Sequence, residues 1–145
     1  MSATRCAECG AQYDTDGDSC TARFHSLLAL DHSLQEPWGS RHGQAFAAYV
    51  LEHPTTHDVS LDGAWATLHR VYIDGENAAT VYATMRAHGA TPPASWNTPP
   101  RPSVRSFAPV VTIRDLGDFI ATTYPERLDA WCRAALASWG ADTRG

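Results

Sequence analysis

The amino-acid sequence predicts an all-α fold: a single compact domain of five or six helices with an N-terminal loop and a proline-rich arm. Apolar residues recur at the spacing of helix turns in successive segments, and no segment shows the alternation of a half-buried strand. The chain has 145 residues, 43% of them hydrophobic, which is enough to bury one core. We expect one domain over 1–145, with a loop at 1–20, a helical core at 20–89, an arm at 91–109 and C-terminal helices at 112–140.

Residues 1–19 are rich in glycine and aspartate, and they show no apolar periodicity. Ser19 is a suitable N-cap, because its side-chain oxygen can accept a hydrogen bond from the first turn of a helix. The first predicted helix therefore runs through CTARFHSLLALDHS and ends before Pro37 and Gly39. Its buried face consists of Phe24, Leu27 and Leu28.

The second predicted helix is SRHGQAFAAYVLEHP, which Pro54 ends. One stripe of this helix carries apolar, aromatic and histidine side chains together: His42, Phe46, Tyr49, Val50 and His53.

Two more helices follow on either side of a turn at Asp74 and Gly75. The third helix has an apolar stripe through Leu61, Trp65, Leu68 and Tyr72. The fourth ends at Gly89, a suitable C-terminal cap, and its apolar stripe is Ala78, Val81, Tyr82 and Met85.

Residues 91–109 contain six prolines and form neither a regular helix nor a central strand. We expect an ordered arm that packs on the helices through Trp96 and Phe107, followed by a short extended piece at VVTI. Thr112 is predicted to cap a helix over IRDLGDFIATT, and Pro125 to lie in the first turn of the last helix. The buried stripe of that helix is Leu128, Cys132, Ala135 and Trp139.

The net charge of −5 and the scattered arginines, with no lysine, argue against a nucleic-acid or anionic-membrane surface. No apolar run approaches the roughly 20 residues of a membrane span, and MSATRCAECG lacks the apolar core of a signal peptide. We therefore expect a cytoplasmic protein. Its composition, rich in alanine and arginine, is typical of a GC-rich bacterial genome.

Three of the four cysteines lie within the first twenty residues, in the pattern Cys6-x2-Cys9-Gly10-x9-Cys20. A Cys-x2-Cys pair followed by glycine is typical of a zinc knuckle, whose tight turn directs both sulfurs toward one ion. A redox dithiol is the alternative, but no βαβ pattern of the thioredoxin kind surrounds the pair. The cluster therefore predicts a metal site, and thiolate ligands favour zinc.

The fourth ligand is less well determined by the sequence. We predict His53, with His25 and His42 as alternatives. If Cys20 and His25 belong to one helix, five residues turn the chain by roughly 500°, so the two side chains point about 140° apart. His42 and His53 cannot share one ion, because eleven helical residues span about 16 Å.

The segments CAECGA…C…F, H…AYVLEHP and W…ASWGA together resemble a family of small, mostly actinobacterial proteins of unknown function. Its members carry Cys-x2-Cys-Gly, a third cysteine, His…Tyr-x-x-Gln-His-Pro and a late tryptophan-rich helix. The resemblance marks Cys6, Cys9, Cys20, His42, Tyr49, His53 and Pro54, with His69 a further position. This chain differs in having Glu52 before His-Pro, where the family has glutamine.

Two functions follow from the predicted site. If four protein ligands close it, the ion is structural, and we expect a small molecule to bind in a pocket on the second helix lined by His42, Tyr49, Glu52 and His53, or a protein partner to bind instead. If one position is open, a metal-bound water makes the protein a small zinc enzyme, whose acid and base groups we predict to be His42, Tyr49 and Glu52, with His53 a further candidate. A third arrangement has His42, His53 and His69 converging on a catalytic metal.

Other motifs give weaker signals. The zinc deaminase signature, the Gly-x-Ser-x-Gly elbow, a phosphate-binding glycine loop and His-Glu-x-x-His are all absent from the sequence. HPTTH at 53–57 has the spacing of a helical metal pair, but Pro54 interrupts the helix. We expect Cys132 and the tryptophans at 65, 131 and 139 to lie in the core, and Trp38 and Trp96 to be exposed.

Overall fold

The computed structural model describes residues 4–57, 60–89 and 91–143, and it confirms the all-α prediction. Within these residues the chain forms five α-helices and one pair of very short antiparallel strands. The strands are β1 (Thr4–Arg5) and β2 (Gln12–Tyr13), and the helices are α1 (Cys20–His32), α2 (His42–Glu52), α3 (Leu61–Tyr72), α4 (Ala78–Ala87) and α5 (Tyr124–Ser138).

The core lies between α2, α3 and α5, with α2 as the central element. Residues 47–52 of α2 are buried without interruption, so this helix is covered by protein on nearly all sides at its C-terminal end. Two tryptophans of the last segment hold it there. The Trp139 Nε1 donates a hydrogen bond of 2.9 Å to the Leu51 carbonyl, and the Trp131 Nε1 donates one of 3.0 Å to the Glu52 carboxyl.

Several predicted helix ends are found at the expected residues. The Ser19 hydroxyl accepts a hydrogen bond from the Ala22 backbone N–H at 3.0 Å, as an N-cap does. α2 ends directly before His53 and Pro54. Gly89 follows α4 with a φ of +62°, a conformation that favours glycine.

The predicted helix after Thr112 is wrong in its length. Thr112 does form a capping box with Asp115, but only a 3₁₀ turn over Ile113–Leu116 follows. Gly117 and Phe119 then have φ values of +65° and +58°, which the right-handed helix does not allow. The VVTI piece, at 110–113, also forms no strand.

The proline-rich segment at 91–109 lies against the helices through polar contacts and through Trp96. Its carbonyl groups accept hydrogen bonds from buried donors, such as the bond of 2.8 Å from Trp65 Nε1 to Pro99. The Ser106 backbone N–H donates to the Ser138 carbonyl at the end of α5. Phe107 is 50% exposed, so the expectation that it packs on the helices is wrong.

Three other aromatic residues differ from expectation. Phe46, predicted for the buried stripe of α2, is 38% exposed. Trp38 and Trp96, expected on the surface, are both half-buried. The Trp38 Nε1 donates to the Phe119 carbonyl at 2.9 Å, and the Arg70 guanidinium lies 4.5 Å from the centre of the Trp96 ring. Trp65, Trp131 and Trp139 are buried, as expected.

A search of the described helices found none with both the length and the apolar composition of a transmembrane segment.

Candidate metal centre

The Cys6–Cys9 turn is closed by backbone hydrogen bonds. The Gly10 N–H donates to the Cys6 carbonyl at 2.9 Å, and the Cys6 N–H donates to the Ala11 carbonyl at 2.8 Å. Gly10 has a φ of +85°, which an L side chain rarely adopts. The paired strands β1 and β2 flank this turn, so that Cys6 and Cys9 are held at the tip of a hairpin.

Cys20 is brought to the same place as the first residue of α1. Its sulfur lies 3.5 Å from the Cys9 sulfur and 3.0 Å from the Tyr13 hydroxyl. Two sulfurs on a tetrahedral zinc ion, each with a bond of about 2.3 Å, lie about 3.8 Å apart. The spacing of Cys9 and Cys20 is therefore close to that of two ligands on one ion.

His53, the fourth residue of the cluster, lies directly after the C-terminal end of α2. Its Nδ1 lies 2.8 Å from the Tyr49 carbonyl, so Nδ1 carries the proton and donates it. Nε2 is buried and has no hydrogen-bond partner within the described parts of the chain. A buried polar atom without a partner is unfavourable, and a metal ion at this position would satisfy it.

The ring of His53 is also fixed by stacking. The Tyr49 ring stacks on it with centroids 4.1 Å apart, and Phe24 stacks on the other side of Tyr49 at 3.9 Å. These contacts join α1 and α2 beside the cluster. They hold the imidazole in the orientation in which Nε2 is directed toward the sulfurs.

The ligand atoms of all four predicted residues lie within 4.8 Å of one another, and no other such group occurs among the described residues. Cys9, Cys20 and His53 are buried, and Cys6 is half-buried. The hydrogen bond with Cys20, together with burial, raises the pKa of Cys9 to about 12. Ionised sulfurs so close together would require a cation beside them, and a Cys3His set of donors suits a divalent metal ion.

An outer layer of contacts supports the cluster, and the sequence analysis missed all of it. The Arg105 guanidinium, from the arm, donates to the backbone carbonyls of Glu8 and Glu52, next to Cys9 and His53. The Glu8 carboxylate accepts hydrogen bonds from the Thr55 N–H at 2.6 Å and the Thr56 hydroxyl at 2.8 Å. These bonds tie the knuckle turn to the segment after α2. Only the fold brings such distant residues together.

The alternative ligands lie elsewhere. His25 is exposed on α1. The His42 Nδ1 pairs with the buried Asp31 carboxylate at 2.9 Å, and the His69 Nδ1 lies 3.6 Å from the Asp74 carboxylate. The three histidines of α2 and α3 therefore do not converge, and that arrangement is wrong. His57, from the HPTTH motif, contacts the Tyr49 ring edge-on and is outside the cluster.

The residues predicted for acid–base catalysis are not gathered at one place. Tyr49 borders the cluster, whereas His42 is at the opposite end of α2. The Glu52 side chain has no exposure to solvent and accepts its hydrogen bond from Trp131. Burial raises the pKa of the Glu52 carboxyl well above its ordinary value, because the core disfavours its charged form.

Replacing Gly10 with alanine tests the knuckle turn. We expect G10A to lose about 1–2 kcal/mol of stability, because alanine at positive φ is strained, and to lower metal affinity about tenfold by moving the ligands. Gly75 provides the matched control, since it has a φ of +75° and open space around its Cβ position. G75A should lose similar stability and keep its metal affinity. Equal metal affinities in competition titrations with a chelator would contradict the role of the turn.

Comparison with known proteins gives a family and no more. The model of a family described as "Family of unknown function (DUF5946)" matches residues 4–140. No protein of curated function and no solved structure matches the chain.

Proposed function

Because the chain belongs to DUF5946, a family of unknown function, we propose its role from its own residues: Cys6, Cys9, Cys20 and His53 bind one zinc ion, and that ion is structural. One observation carries the proposal. The four ligand atoms come from three separate segments of the chain and lie within 4.8 Å of one another.

The donor set favours zinc over other common ions. Three thiolates and one imidazole are soft to borderline ligands, which magnesium and calcium do not take. The distance of 3.5 Å between the Cys9 and Cys20 sulfurs also suits zinc, which is four-coordinate and tetrahedral in structural sites. His53 Nε2, which lacks any other partner, completes the set.

A structural role is favoured because the four protein ligands fill a tetrahedral site. A catalytic zinc site keeps one position for water or substrate. A zinc enzyme would also need an acid or base within reach of that water, and Glu52 is buried against Trp131 instead. The ion would thereby link the N-terminal hairpin, the start of α1 and the end of α2.

A cleft of about 260 Å³ adjoins the cluster and is the one feature that favours the enzymatic alternative. Its lining includes Cys6, the most exposed of the four ligands, together with Tyr49 and Glu8. If Cys6 left the ion, this cleft would admit a water or a small substrate to the open position. The alternative therefore differs from our proposal in a single measurable property, the number of protein ligands.

The state of the cysteines also supports a reducing, cytoplasmic location in a bacterial cell, as part of this proposal. All four cysteines are free thiols, although the Cys9 and Cys20 sulfurs are near each other. Such a pair persists as thiols in a reducing compartment, or under the protection of a bound metal.

The experiment is a measurement of metal content and coordination on the full chain. Elemental analysis should find one zinc ion per chain. Replacement by Co²⁺ should give the absorption of a tetrahedral site with three thiolate ligands, and removal of the metal should lower the melting temperature. A spectrum with a bound water would support the enzyme instead. Protein purified in a reduced state, with no stoichiometric metal and no affinity for Zn²⁺ or Co²⁺, would refute both.

A further inference from the structure

A second cleft, which shares no lining residue with the cleft beside Cys6, lies between α2, α3 and α4 and has a volume of about 250 Å³. Its floor exists because the facing positions of α2 and α3 are occupied by very small residues: Gly43, Ala47, Gly63 and Ala64. Larger side chains at these positions would fill the space between the helices. Phe46 and Met85 form apolar walls, so the interior is suited to a hydrocarbon or aromatic group.

Gly43 has a specific role in shaping this cleft. A Cβ atom at position 43 would lie 2.5 Å from the nearest ring carbon of Tyr82, far inside van der Waals contact. The absence of a side chain lets the Tyr82 ring lie directly on the first turn of α2. That ring in turn supports the guanidinium of Arg86, which lies 4.7 Å from its centroid.

The polar groups of the cleft are few. Arg86 is exposed on α4, and no carboxylate among the described residues is within ion-pair distance of it. His42 is held by Asp31, whose side chain has no solvent exposure, and because Nδ1 donates to that carboxylate, the neutral ring presents Nε2 as an acceptor. The cleft thus combines an apolar interior with a cation and a fixed hydrogen-bonding group at its border.

We propose that this cleft binds a small monocarboxylate with an apolar body, whose carboxylate pairs with the Arg86 guanidinium. The chain is acidic overall, with a net charge of −5, so a guanidinium beside an apolar cleft with no carboxylate partner among the described residues is a local exception that favours an anionic head group. The small-molecule ligand predicted from the sequence is therefore assigned to the N-terminal end of α2, not to Tyr49 and Glu52. This inference does not depend on the metal.

The test is a titration of the full, metal-loaded chain with 1-naphthoate, followed by amide chemical shifts in NMR. We expect saturable shifts confined to α2, α3 and α4, with a dissociation constant of about 1 mM or lower, as the size of the ligand allows. 1-Naphthamide, which has the same shape and no charge, should bind about tenfold more weakly, since it lacks the ion pair.

Variants separate the ion pair from general changes in the protein. R86Q should weaken naphthoate about tenfold and leave naphthamide unchanged. Arg133 is a matched control, because it is also exposed and lies 5.1 Å from the ring centre of Tyr72, away from the cleft. R133Q should affect neither ligand, and A64L should abolish binding of both by filling the floor.

Three outcomes would overturn the proposal. One is the absence of a saturable shift in the cleft with naphthoate. Another is equal affinity of the acid and the amide, which would remove the role of charge. The third is equal loss of affinity in R86Q and R133Q, which would show that net charge, not the ion pair, is responsible. Because Arg86 is exposed, we expect the R86Q variant to fold normally, and its melting temperature verifies this.

Discussion

Replacing Cys9 with serine is expected to lower the free energy of unfolding by at least about 3 kcal/mol and to abolish stoichiometric metal binding. Cys9 is 2% exposed and lies 3.5 Å from the Cys20 sulfur, at the centre of the cluster. Serine fills nearly the same space but offers no thiolate. The three remaining ligands would hold the ion weakly, and its binding energy would no longer contribute to folding. Urea unfolding with parallel metal analysis measures both effects.

Cys132 offers a matched control for this substitution, because it is a fully buried cysteine on α5 that is not part of the cluster. C132S should cost about 1 kcal/mol through the burial of a hydroxyl, and it should retain the metal. A chelator should then lower the melting temperature of the wild type and of C132S, but not that of C9S. If C9S kept one ion per chain and the wild-type stability, the metal centre would have no structural role.

Replacing Trp131 with phenylalanine is expected to destabilise the protein by about 2–4 kcal/mol. Trp131 has no solvent exposure, and its Nε1 is the hydrogen-bond donor to the buried Glu52 carboxyl at 3.0 Å. Phenylalanine leaves a small cavity and removes this donor, so the buried carboxyl, whose Oε2 already has no partner among the described residues, loses the hydrogen bond to its Oε1 as well. Chemical denaturation at neutral pH gives the change in stability.

A second substitution separates the lost hydrogen bond from the cavity. In the W131F background, E52M removes the carboxyl that lacks a donor and keeps a side chain of similar size. We expect the double variant to be more stable than W131F, because no buried polar group is then left without a partner. If the double variant were less stable than W131F by the full cost of E52M alone, the hydrogen bond would contribute nothing measurable.

The sequence predicted the helices well where apolar periodicity and capping residues agree. Ser19, Pro54 and Gly89 mark ends of helices in both the sequence and the structure. Prediction failed after Thr112, where the local cap is correct but Gly117 interrupts the helix. A cap starts a helix and does not determine its length, which depends on the backbone conformation of later residues.

The metal ligands were predictable to different degrees. The three cysteines carry their own signal, since their spacing is that of a known kind of turn. His53 was favoured over His25 by helix geometry, but only the packing of α2 against α1 brings Nε2 near the sulfurs. Tyr13, Glu8 and Arg105 gave no signal, because their roles depend on contacts across as many as 97 residues. The cleft beside Arg86 could not be predicted for the same reason, because it depends on how α4 packs against α2 and α3.

The order of the four ligands along the chain has a consequence for synthesis on the ribosome. The three cysteines are all made by residue 20, and His53 follows 53 − 20 = 33 residues later. At ordinary rates of translation this interval lasts about 2–7 s. We expect the growing chain to capture its ion through sulfur alone during that interval, before α2 exists. Once synthesised, His53 would bind the same ion and hold the newly formed α2 next to the three cysteines.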